Sequence, residues 1–153
     1  METPDKKFQT FEDLDAYTVA RGFRKAMYAT ARRLPDIEKF GLASQMRRAA
    51  VSLTNNIAEG HGRFHYPDQI RFMLQSRGSL EELIDDLNIC IDENYLPLAE
   101  ASALKDEGWR AHKVLNGYIR HLRSKNTNQP YVLRDAPPTD DFASDELSDD
   151  FNA

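Results

Sequence analysis

Arg21, Arg24, Lys25, Tyr28 and Arg32 stand near the start of the chain at steps of three and four. On an α-helix that spacing gathers them into one arc of about 100°, with Tyr17 beside them. Guanidinium and ammonium groups so placed can follow the phosphates of RNA or DNA, and a tyrosine can stack on a base. The same stripe also suits a solvated helix face, where Arg32 and Arg33 complement the negative end of the helix dipole. A second constellation follows: Gln45, Arg48, Ser52, Asn55, Asn56 and Glu59. These too fall within about 100° of a helical wheel, along the border of an apolar stripe. One reading is a hydrogen-bond and ion-pair network at a helix or subunit seam, which fixes register and assembly geometry. The other is a site for a ligand or nucleic acid.

The remaining candidates carry less chemistry. Trp109 lies off the apolar series of its own segment, on the side of Lys105, Lys113 and Arg120. An exposed tryptophan suggests a subunit interface. Packing on the turn at Tyr95, or a nucleic-acid contact, are the alternatives. Glu59, His61, His65 and Asp68 span a stretch containing Gly62 and Pro67, and match none of the helix-borne metal spacings. His112 and His121 show no acid positioned to orient them. Cys90 reads as a small buried apolar residue. No Ser–His–Asp arrangement or phosphate-cradling glycine loop occurs. No enzyme, metal or cofactor is expected.

Four amphipathic segments must position these residues. The first starts near Phe11, with Thr10 as a cap, and its core series is Ala16, Ala20, Phe23, Met27, Thr30 and Leu34. Pro35 stops it. After a linker over 36–41, the second series is Leu42, Met46, Ala49, Leu53 and Ile57, ended by Gly60 and Gly62 as left-handed C-terminal residues. The third begins near Tyr66, Pro67 and Asp68, and its series is Ile70, Met73, Leu80, Ile84, Leu87 and Ile91. Arg77, Gly78 and Ser79 interrupt it, either as a kink or, preferably, because Gly78 lets a neighbouring backbone approach. The fourth spans about 102–124, with Leu104, Ala111, Leu115, Tyr118 and Leu122 inward. Short connections between such helices give an all-α, antiparallel up-down-up-down four-helix bundle over 1–125.

The 153 residues carry a net charge of −5, but unevenly. From Asn126 onward there are seven acids and one base, a net of −6, which leaves the body at +1. A near-neutral body must bind nucleic acid, if at all, through a local patch. Residues 126–153 are polar and proline-containing, and are expected to form a disordered acidic tail. Within it Thr139, Asp140, Asp141 and Phe142 are echoed by Ser148, Asp149, Asp150 and Phe151. Such units can dock onto proteins, although a biased composition also produces them by chance. An acidic tail can also lie over the bundle's own basic stripe and compete with phosphates. One cysteine, no long apolar run and no secretory leader fit a cytoplasmic protein that contacts no membrane.

The ordered string from Gln45 to Gly60, with Arg48, Ser52, Asn56 and Glu59 in place and Gly62 and Arg63 after it, resembles the family of proteins encoded in intervening sequences of bacterial 23S ribosomal RNA genes. Phe11 with Leu14, Phe40-Gly41-Leu42, and Gly78-Ser79-Leu80 with Glu82 extend the likeness over roughly 8–124. The resemblance implies a four-helix bundle that assembles as a homopentamer, fold and assembly more than activity; a non-enzymatic scaffold or adaptor is the expected role. A related branch, the accessory proteins of diversity-generating retroelements, implies an alternative: an accessory protein that binds nucleic acid and a reverse transcriptase.

Overall fold

A computed structural model of the chain describes residues 9–127. The acidic segment and its two Asp-Asp-Phe units lie outside the described residues. Four helices account for most of the rest: α1, Asp15–Arg33; α2, Leu42–His61; α3, Tyr66–Asp92; and α4, Leu98–Thr127. Each packs on its neighbour in sequence, and α1 against α4 closes the ring. Contacts run in opposite senses along neighbours: Ser52–Ser79 then Gly60–Phe72 for α2 and α3, Arg77–Asn116 then Glu81–His112 for α3 and α4, and Phe23–Gly108 then Arg33–Glu100 for α1 and α4. The bundle is therefore antiparallel throughout.

Local signals set the ends. Thr10 accepts from the Glu12 N–H at 3.2 Å, while its own N–H donates to Asp13 at 2.9 Å. This reciprocal cap holds a short 3₁₀ turn, Phe11–Asp13, ahead of α1. Pro35 follows the end of α1, and Pro67 sits in the first turn of α3, where its missing N–H costs nothing. Every residue of the first two apolar series is buried. Phe23, Met27, Met46, Leu53, Met73, Leu80, Leu115 and Ile119 fill the middle of the core. Each such burial contributes roughly 1.5–3 kcal/mol. Cys90 is buried with them.

Several expectations are corrected. α4 starts at Leu98 and runs to Thr127, so it is longer at both ends than the periodicity suggests. In α4, Ile119 takes the fully buried place and Tyr118 is half-buried; in α3, Ile91 is only partly buried. α2 does not end on left-handed glycines. It continues through Gly60 to His61, Gly62 has φ −77°, and no described glycine has positive φ. Gly60 instead makes a close approach: a Cβ there would stand 2.7 Å from Phe72 Cβ. Gly78 plays no such part, since α3 is unbroken and a Cβ at Gly78 would meet only open space. Gly108 of α4 does that work, where a Cβ would lie 2.9 Å from Ile84 and 3.0 Å from Phe23.

Candidate functional site

The basic stripe of α1 and the polar row of α2 are neighbours across one seam. Arg24 donates to the Thr54 hydroxyl at 2.8 Å and sets their relative height. Around it lie two adjoining depressions of about 500 and 510 Å³. From α1, Arg24, Lys25, Tyr28 and Arg32 line the first, opposite Val51, Thr54 and Asn55 of α2. The second is lined by Ser44, Arg47, Arg48, Ser52 and Asn56, and it shares Tyr28, Val51 and Asn55 with the first. The two form one groove with five cations and no acidic side chain on its walls. Its centre is apolar: Val51 is 38% exposed, beside the half-buried Tyr28.

The sequence-derived constellations are thus partly joined and partly divided. Arg21 is not in this groove; it lines a separate depression with Glu12, Tyr17 and Lys25. Of the polar row, Ser52 and Asn56 are engaged within the protomer. Asn56 donates to Ser52 Oγ at 2.9 Å, Ser52 meets Ser79 of α3 at 2.8 Å, and Ser79 donates to the Gln75 carbonyl at 3.2 Å. Each hydroxyl can donate onward, so the relay ties α2 to α3, reinforced by Ser76 donating to the Leu53 carbonyl at 2.6 Å. Glu59 accepts from Arg63 at 2.8 Å and takes no part in the groove. Gln45, Arg48 and Asn55 are exposed, and Gln45 lines neither depression. Val51, Arg47 and Thr54 were not singled out from the sequence. An apolar residue off the core series, between Arg48 and Asn55, was the available signal.

The opposite seam holds an arrangement that a single helix could not reveal. Glu81 of α3 accepts from His112 Nε2 at 3.0 Å, so this histidine does have an acid to orient it. Asn116 lies 3.1 Å from His112 Nδ1, and Arg77 donates to Asn116 Oδ1 at 3.0 Å. With Asn116 donating to Nδ1, the proton sits on Nε2 and points at Glu81. Trp109 packs edge-on against His112, ring centres 5.2 Å apart, and remains 43% exposed. It stands about 16 Å along α4 from Leu98, so it does not cap the turn at Tyr95. Among the described residues, no group of three or more His, Cys, Asp and Glu is placed to hold a metal ion.

Asp86 is the buried exception among the charges. One carboxylate oxygen has no hydrogen-bond partner, and burial, with help from Glu82 and Asp85, pushes its pKa up to about 6. Burial, and then the nearby Asp86, raises the Cys90 thiol to about 11.

Fold and site together define an all-α, four-helix-bundle protein with a cationic groove along one seam. The chain matches the family of 23S rRNA-intervening sequence proteins over residues 12–117, and it belongs to that family. Its fold is similar, with a TM-score of 0.64, to that of a protein of unknown function from the S23 ribosomal protein family of Bacteroides thetaiotaomicron. The two share 18% identity over 69% of this chain and 95% of that one, a likeness of fold. No curated protein matches the chain. Among the described residues, no helix is long and apolar enough to cross a membrane.

Proposed function

We propose that the chain is a non-enzymatic, homo-oligomeric assembly protein, a scaffold or adaptor of the cytoplasm. The observation that carries this reading is apolar surface that one protomer leaves in water. Ile37 and Phe40, in the α1–α2 connection, are 83% and 89% exposed, and Leu98, at the start of α4, is 66% exposed. Antiparallel order brings those two connections to the same end of the bundle. Phe64 at the other end is 91% exposed. Large apolar side chains grouped at an end are costly in water and serve contacts between chains. The number we propose, five, rests on the family resemblance. Light scattering should return that assembly, and a stable monomer at micromolar concentration overturns it. Serine at Ile37, Phe40 and Leu98 together should dissociate the assembly while leaving the helix signal intact.

A specific observation favours a second reading, nucleic-acid binding: the five cations of the α1–α2 groove with Tyr28 among them. Oligomerisation would repeat the groove and let weak patches act together. Phosphate-driven affinity falls steeply between low and physiological salt. Glutamine at Lys25, Arg32 and Arg48 together should abolish salt-sensitive binding of RNA and DNA. Affinity unchanged by these three substitutions removes the groove from consideration.

A further inference from the structure

Five cations surround an apolar centre in the α1–α2 groove, and no acid answers them. That pattern is unlike a strip built only for phosphates, because Val51 offers nothing to a phosphate and a seat to a side chain. A fitting ligand is an extended peptide with an aromatic ring and carboxylates beside it. The ring settles on Val51 and Tyr28, and the carboxylates reach guanidinium forks on either wall. The chain itself contains that pattern twice beyond α4, at 139–142 and 148–151, within a stretch of net charge −6. Consecutive Cα atoms are about 3.8 Å apart, so each Asp-Asp pair stays close to its phenylalanine.

Reach favours the farther of the two units. Gly108 of α4 stands level with Phe23 of α1. At about 1.5 Å per residue, Thr127 lies some 28 Å from that level in one direction, and Tyr28 some 8 Å in the other. Adding the width of one or two helices puts the groove about 40 Å from the end of α4. Phe142 can travel at most about 50 Å from Thr127, and only when nearly straight; Phe151 can travel about 80 Å. We propose that the groove is a peptide-docking site whose occupant is the chain's own segment 148–151. The contact makes the groove's availability to any other anionic ligand depend on salt and on competition with this segment. It rests on the groove's shape and charge, not on nucleic acid being bound there.

The test is disulfide trapping in the full-length chain, with no nucleic acid present. Asn152→Cys leaves Phe151 in place, and Asn55→Cys puts a thiol at the groove while leaving Val51. Ser102→Cys is the control: exposed on α4, about 38 Å from Thr127, and separated from the groove by about the width of a helix. The buried Cys90 stays as it is. In oxidised glutathione at low salt, cysteine 152 should pair with position 55 about tenfold faster than with position 102. Pairing should also be about threefold faster than from Ala143→Cys, which marks the nearer unit. Phe151→Ala, or glutamine at Lys25, Arg32 and Arg48, should abolish the preference. Equal rates at positions 55 and 102, a preference that survives those substitutions, or a bond joining two chains each overturn the proposal. Salt-sensitive RNA binding with no trapping would leave the nucleic-acid reading standing and this one refuted.

Discussion

The α1–α2 and α3–α4 seams solve the same packing problem with opposite uses of charge. Across α3–α4, Arg77, Asn116, His112 and Glu81 form one hydrogen-bonded line, and Gly108 draws the backbone onto Ile84 and Phe23. Across α1–α2, the Arg24–Thr54 bond is the one side-chain hydrogen bond among the described residues. Lys25, Arg32 and Arg48 face water around Val51, and Arg47 reaches the Lys39 carbonyl at 3.4 Å without crossing to α1. A seam whose polar groups pair with each other adds to stability and gives little to a ligand. One whose charges are left over adds little stability and keeps its binding capacity.

The largest test of this contrast is Gly108→Val. A Cβ at this position would already stand 2.9 Å from Ile84 Cγ1 and 3.0 Å from Phe23 Cζ, so two buried side chains must shift to admit a larger one. Chemical denaturation should show a loss of about 2–3 kcal/mol. A loss under about 0.5 kcal/mol would mean that this seam is as loose as the other.

Asp86 sharpens the same rule by showing a charge that is buried but unpaired. Its folded-state pKa, about 6, stands above the ordinary 3.8. Between those values the folded chain holds a proton that the unfolded chain has released. The cost of ionised Asp86 is therefore full above about pH 6, shrinks as pH falls, and is gone below about pH 4. Asp86→Asn should raise stability at pH 8 by about 2 kcal/mol and change it little at pH 4. Melting curves at the two pH values read this directly, and an equal gain at both contradicts the burial account.

A smaller pair of effects compares the seams head to head. Asn116→Leu breaks the α3–α4 line and should cost about 1 kcal/mol. Glutamine at Lys25, Arg32 and Arg48 should stay within about 0.5 kcal/mol of wild type, because those side chains hold nothing together. Equal losses from the two changes would erase the distinction between the seams.

What could be read from the sequence follows the same division. Ala16 to Leu34 and Leu42 to Ile57 announce their inward faces through spacing alone, because a helix repeats every 3.6 residues whatever surrounds it. The partners across a seam are not legible that way. A helical wheel gives the direction of His112 on α4, but not that Glu81 of α3 stands opposite at the same height. For the same reason the stripe on α1 and the row on α2 read as two features, although Arg24 and Thr54 join them into one groove. Glycine roles are the hardest to assign. Gly60, Gly78 and Gly108 all lie inside helices, and only the neighbouring helix distinguishes an exposed Gly78 from the two that admit a close approach.

Cys90 gives the molecule a built-in clock. It is the chain's one thiol, it is fully enclosed, and its pKa of about 11 leaves almost no thiolate at neutral pH. The thiolate is the nucleophile that attacks an alkylating reagent, so the native molecule is silent to it and modification proceeds through opened molecules. The rate of mass gain in a thiol reagent thus counts excursions of α3 out of the core, without a label and without denaturant. Slow labelling that accelerates only as pH nears 11 would report the enclosed thiol's own ionisation. Labelling that follows the global unfolding equilibrium would mark α3 among the last elements to let go.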